Sequence, residues 1–178
     1  MKSVLISIRP QWCEKIASGE KTIEVRKSAP KEVPFKAYIY ETKPATEMPW
    51  VDEDGHFIYK GRGQVIGEFV CDKILEIEVF KNGAIENFWF YNLDKSCLSF
   101  DEMGAYIGKG NIGYGWHISD LKIYDKPKEL SEFNRPCSYA GLCFSCDRAK
   151  FTSKGDRICQ AMITRPPQSY MYVEEVEQ

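Results

Sequence analysis

Eight consecutive residues, Gly19-Glu20-Lys21-Thr22-Ile23-Glu24-Val25-Arg26, set two cations and two carboxylates on one chain reversal. Along a strand, Glu24 and Arg26 share one face while Ile23 and Val25 share the other. The apolar pair belongs to a core, and the charged pair lies close enough to interact. Arginine offers a planar fork that suits phosphate or a base edge, and lysine a mobile point charge. A glutamate accepts from an exocyclic amine. On a cleft wall these groups would hold an anion and orient a polar ligand. On an open face they would form a solvated pair worth about 0–1 kcal/mol. The local sequence permits both.

Neighbouring residues extend the set. Arg9 ends an apolar run just before the octet's lead-in, and Trp12 follows it. An aromatic beside basic residues is a stacking platform for a base, although Trp12 also suits the core anchor of a short helix and Arg9 a surface cation. His117, one of two histidines, is either a general base or a hydrogen-bonded structural residue. Trp116 and His117, adjacent on a strand, face opposite ways, so one belongs to the core.

Seven cysteines form a second constellation. Cys13, Cys71 and Cys97 are scattered among apolar neighbours and read as buried, reduced residues. The others follow the pattern Cys137-x5-Cys143-x2-Cys146-x12-Cys159. The close pair lets two thiolates face one ion, and the flanking pair completes a tetrahedron. The surrounding segment is polar and bears glycine, so metal would supply its missing stability. The expectation is a structural zinc on Cys137, Cys143, Cys146 and Cys159, with an iron–sulfur cluster as the alternative.

The elements that must position these residues are mostly strands. Val4 to Ile8, Thr22 to Lys27, Lys36 to Glu41, Gly113 to Tyr124, Ile158 to Thr164 and Tyr170 to Val173 read as strands. Gln64 to Phe80 reads as one bent strand or two, with Gly67 inside it. A helix over residues 10–18 starts at Pro10 and stops at Gly19. Ser99 to Ile107 is a second helix, with a Ser99…Glu102 capping box and Leu98 and Met103 as its staple. Residues 42–63 read as a long connection with a small hairpin, and residues 81–98 show no clear period. Gly108-Lys109-Gly110-Asn111-Ile112-Gly113 fits G-x-G-x-x-G, but it follows a helix and precedes a strand, the reverse of the dinucleotide-binding order. It reads as a helix terminator and turn, and no NAD or nucleoside-triphosphate site is expected.

The chain has 178 residues, enough for one domain, and 43% hydrophobic residues, enough for a core. Aromatic residues reach 13%, which favours strands. A formal net charge of −2 leaves no global basic field for coating DNA, though a local basic cleft is compatible with it. Arg9 and Pro10 interrupt the first apolar run before it reaches signal-peptide length, and no run approaches a membrane span. The expectation is a soluble cytoplasmic protein with no membrane partner.

The order of motifs is familiar. Ile6-Ser7-Ile8-Arg9-Pro10 leads into Gly19-x-Lys21-x-x-Glu24-x-Arg26. Gln64-Val65-Ile66-Gly67-Glu68-Phe69, Tyr114-Gly115-Trp116-His117-Ile118 and Arg165-Pro166-Pro167-Gln168-Ser169-Tyr170 follow. Together these resemble the ASCH family (activating signal cointegrator homology). The resemblance implies an α+β fold: a PUA-like small β-barrel with two or more short helices, here one domain over residues 1–178. A cysteine-rich metal-binding insertion would span 134–162. The resemblance further implies a cleft, lined by the octet, that binds RNA or a modified nucleoside. With the neighbouring Arg9 and Trp12 added, the ligand-binding candidates are Arg9, Trp12, Lys21, Glu24 and Arg26. One branch of the family hydrolyses N4-acetylcytidine with a Lys, a Thr and a Glu, and ribonuclease activity is also associated with the family. If this chain is a hydrolase, Lys21 and Glu24 are the catalytic candidates. The branch's Thr stands three residues after the motif Lys, where this chain has Glu24. Thr22 lies roughly 6–7 Å along the strand. Glu102 matches the branch's Glu in order only. Whether the protein is an enzyme stays open, as does a protein-interaction role for the insertion.

Overall fold

A computed structural model describes residues 1–43, 50–51, 57–58, 61–86, 92–136, 150–151, 157–158 and 161–176. In chain order the elements are β1 (Lys2–Ile8), α1 (Pro10–Ala17), β2 (Ile23–Arg26), β3 (Phe35–Glu41), β4 (Trp50–Val51), β5 (Phe57–Ile58), β6 (Val65–Cys71) and β7 (Ile74–Val79). A 3-10 turn (Leu93–Ser96), α2 (Phe100–Ile107), β8 (Asn111–His117) and β9 (Ser119–Lys128) follow. A second 3-10 turn (Leu130–Glu132), β10 (Lys150–Phe151), β11 (Arg157–Ile158) and β12 (Tyr170–Val173) complete the described chain. Among the described residues no helix is long and apolar enough to cross a membrane.

The fold is mixed α+β, with a five-stranded sheet ordered β12-β1-β3-β6-β9 and a three-stranded sheet ordered β2-β8-β7. β4–β5 and β10–β11 are short, separate antiparallel pairs. β1 runs parallel to β3 and antiparallel to β12, so it lies inside its sheet. That position accounts for its unbroken apolar run, because both of its faces are covered. Val4, Ile6 and Ile8 pack with Ile16, Phe35, Phe69 and Trp116 on one side. Leu5 packs with Tyr38, Phe133, Ile163 and Val173 on the other.

Two strand regions turn a corner from one sheet to the other. The run over 64–80 divides at Asp72 and Lys73, with β6 in the larger sheet and β7 in the smaller. The run over 113–124 divides at Ile118, with β8 in the smaller sheet and β9 in the larger. Among the described strands the ladders do not close into one ring, so the expected barrel is observed as two corner-linked sheets. His117 stands at this corner. Its backbone N–H donates to Lys73 O at 3.0 Å, and its Nδ1 lies 2.6 Å from Asp72 Oδ1. Gly67 sits at a register shift between β6 and β9, where an added Cβ would meet Lys122 O at 2.5 Å.

The remaining sequence expectations divide. The capping box of α2 is present, and Leu98 packs against the cluster that contains Met103. Gly108 ends α2 at φ +94, and Gly110 turns at φ +77, as a terminator and turn require. Cys13 and Cys71 are buried free thiols, but Cys97 is half-buried in the turn before α2. A continuous strand from Ile158 to Thr164 is not seen among the described residues: Ile158 ends β11, and Met162 makes an isolated bridge to Asn134. Cys137, Cys143, Cys146 and Cys159 lie outside the described residues.

A candidate ligand cleft

β2 has both faces covered. Ile23 and Val25 pack with Leu75, Ile77, Met103 and Ile107, between the smaller sheet and α2. Glu24 and Arg26 point the other way, and there the larger sheet meets them. Arg26 Nη2 donates to Ser7 O of β1 at 2.5 Å, tying the two sheets together. Glu24 pairs in register with Trp116 of β8, itself wholly buried against Phe35 and Tyr170. The charged pair is therefore no solvated strand edge. Glu24 is 5% exposed and Arg26 7%.

Lys21 joins them at 2% exposure. Gly19 makes this possible: at φ +79 it reverses the chain after α1, and the Lys21 N–H then returns to Lys15 O at 2.8 Å. The Lys21 ammonium donates to Ile23 O at 2.9 Å and to Ser96 O at 2.5 Å. It also pairs with Glu24 Oε2 at 3.3 Å, while Arg26 Nη2 pairs with Glu24 Oε1 at 3.0 Å. Glu24 thus bridges two cations out of water. Leaving any of the three unpaired there would cost several kcal/mol. The Lys21 ammonium also lies 5.3 Å from the centroid of the Trp12 ring, within cation–π range.

These groups line a cavity of about 570 Å3. Its wall includes all of Arg9, Trp12, Lys21, Glu24 and Arg26. Thr22 and His117 are not on this wall. Thr22 uses its backbone in the turn, to Lys95 O and from the Ile118 N–H, and His117 belongs to the corner. Glu102 does line the cavity. Its carboxylate caps α2 by accepting from the Ser99 N–H at 2.8 Å, and that hydrogen bond holds its carboxyl below the ordinary value.

Sequence reasoning did not assign Ser7, Gln11, Thr42, Leu98, Tyr106 or Gln168 to this wall. For Tyr106 a signal existed, because it stands four residues after Glu102 on α2 and so shares its face. Burial pushes the Tyr106 hydroxyl up from its ordinary value, against the pull of Arg26. Pro166, Pro167 and Gln168 also reach the wall, held by Ser7, whose Oγ donates to Pro167 O at 2.6 Å. Nothing near residue 7 in sequence announces a partner 160 residues away.

The sequence profile described as "ASCH domain" matches residues 6–109, more than half of the chain. No curated protein matches. Among solved structures, the chain is similar to the ASCH protein of Zymomonas mobilis at 18% identity and a TM-score of 0.57, covering 98% of this chain and 89% of that one. A Tyr-to-Phe mutant of the same protein aligns at 18% identity and a TM-score of 0.59, covering 98% and 92%. At this identity the likeness concerns the fold. It extends past the profile match, through β8, the segment 166–168 and β12.

Proposed function

The chain belongs to the ASCH domain family, and from that membership we propose that its cleft binds RNA or a modified nucleoside. One observation carries the reading: Arg9, Trp12, Lys21, Glu24 and Arg26 converge on a single cavity of about 570 Å3. That volume suits a small-molecule site, and its mixture of buried charge and apolar wall suits a base. In this reading the two corner-linked sheets are a PUA-like barrel, and the protein acts in the cytoplasm. Removing both cations, Lys21→Met with Arg26→Met, is expected to weaken binding of a labelled single-stranded RNA at least about tenfold in fluorescence anisotropy. Because both side chains are buried, Arg9→Glu tests the same wall from an exposed position and is expected to weaken binding too. Parental affinity in both variants, with the fold intact by circular dichroism, contradicts the reading.

We further propose that Cys137, Cys143, Cys146 and Cys159 hold a structural zinc in an insertion over 134–162. The flanks of that segment meet: Arg135 N–H donates to Ala161 O at 2.7 Å, and Ile163 N–H to Phe133 O at 2.9 Å. A segment that leaves and returns at one point can be stabilised locally by a metal without altering the sheets.

A hydrolase is the second reading, favoured by one observation. A carboxylate (Glu24), an ammonium (Lys21) and a threonine hydroxyl (Thr42) all line the cavity. Incubation with N4-acetylcytidine and with labelled RNA, followed by chromatography, tests it. Absence of product from metal-replete protein sets it aside.

A further inference from the structure

The wall's donors and acceptors are unequally committed, and that inequality specifies the ligand more closely. Two N–H groups of Lys21 serve main-chain carbonyls, and Glu24 faces the ammonium at 3.3 Å. An ammonium has three donors, so Lys21 has little left for a ligand. Arg26 spends Nη2 on Ser7 O and Glu24, while Nη1 has no partner among the described residues. Its Nε is buried and also lacks one. Arg26 is thus a nine-tenths-buried side chain on the cavity wall with unused donor capacity. Each Glu24 oxygen serves one cation and keeps a second lone pair. The guanidinium whose Nη2 lies 3.0 Å from Glu24 Oε1 therefore stands next to an acceptor. A phosphate brought to that point would be drawn by the two cations but would set its oxygens against the free lone pairs of Glu24, leaving that acceptor unmatched. A neutral ring edge with an acceptor next to an N–H would satisfy both groups. Trp12, Leu98, Tyr106, Pro166 and Pro167 supply apolar surface for such a ring. Arg9, by contrast, is exposed at the same cavity and makes no side-chain hydrogen bond or ion pair among the described residues.

We propose that the cleft reads the edge of a neutral heterocyclic base. Arg26 Nη1 donates to a ring acceptor, Glu24 accepts from the adjacent N–H, and Arg9 at the mouth takes the phosphate that follows the base. Lys21 is a positioning residue that holds Glu24 in place. This rests on the nucleoside- or RNA-binding reading above.

Calorimetric titration of the intact protein tests it, using the common ribonucleosides, N4-acetylcytidine, the common 5′-monophosphates and inorganic phosphate, each in low and high salt. At least one uncharged nucleoside is expected to bind. Its monophosphate is expected to bind tighter by about fivefold in low salt only, and Arg9→Gln is expected to bring that ratio to about one. Arg26→Lys, checked for folding by thermal melt, is expected to weaken nucleoside binding at least about tenfold. If it does not fold, the comparison of ligands on the parent protein still decides. Binding of monophosphates without any nucleoside, or displacement of a nucleoside by inorganic phosphate, overturns the base-edge assignment and leaves the binding reading standing. Failure of every nucleoside, nucleotide and RNA to bind overturns both.

Discussion

Glu24 is the residue on which the wall depends, because its two oxygens separate and hold Lys21 and Arg26. Glu24→Gln removes the charge but keeps the shape, and it leaves two buried cations without a counter-charge. It is expected to destabilise the fold by about 3 kcal/mol, read from urea melts; a loss well below 1 kcal/mol would mean that the pair is solvated after all. The thiols give a second prediction. Burial pushes the Cys71 thiol up to about 12 and raises that of Cys13 as well. Among Cys13, Cys71 and Cys97, iodoacetamide mapping by mass spectrometry is therefore expected to label Cys97 first. The sign for stability follows. The folded protein keeps the Cys71 proton after an unfolded thiol has lost its own, so stability is lost as pH rises from 9.0 towards about 12. At this scale the period of a strand predicted which octet residues share a face. Their burial was not legible, because it depends on Ser7 of β1 arriving on the far side of β2, and no local pattern encodes that approach.

Helix α2 is the element that joins core to cleft. Met103 and Ile107 enter the core, while Glu102 and Tyr106 line the cavity. Its start was legible from Ser99 and Glu102, whose reciprocal hydrogen bonds are both present. Ser99→Ala is expected to cost about 1 kcal/mol and to weaken ligand binding modestly through Tyr106. Paired thermal melts and titrations check this, and an unchanged melting temperature would deny the cap its role. Gly113 is the packing counterpart. A Cβ there would meet the Ile107 side chain at 2.5 Å, so α2 lies directly on β8. The sequence placed α1 and β12 well, since Pro10, Gly19 and the run Tyr170–Val173 carry strong local signals. It left β6 and β7 as one bent strand or two, and β8 and β9 as one region. Each is a nearly continuous β-rich run, and the break is a corner between sheets, marked only by Asp72-Lys73 and Ile118.

The whole molecule brings distant parts of the chain to one cavity: the end of β1, the lead-in to β2, α2 and the segment 166–168. The parallel pairing of β1 with β3 and the antiparallel pairing of β1 with β12 create that meeting. Long-range pairing of this kind leaves no periodic trace in sequence. The order of motifs implied a cleft lined by the octet, but the meeting of segment 166–168 with that cleft is seen only in the fold. The cysteine segment makes its own prediction at this scale. Elemental analysis is expected to give about one zinc per chain, and a brown, iron-bearing protein would reverse that assignment. The cleft itself is tested most directly by an NMR titration of the 15N-labelled protein with a nucleoside or short single-stranded RNA. Two indole N–H signals distinguish cavity from core, since Trp12 lines the cavity and Trp116 is wholly buried in the core. The Trp12 signal and the backbone amides of Arg9, Glu24 and Arg26 are expected to shift with ligand while the Trp116 indole moves little. Binding that shifts other surfaces and leaves Trp12 and the octet unmoved would contradict the cleft as the ligand site.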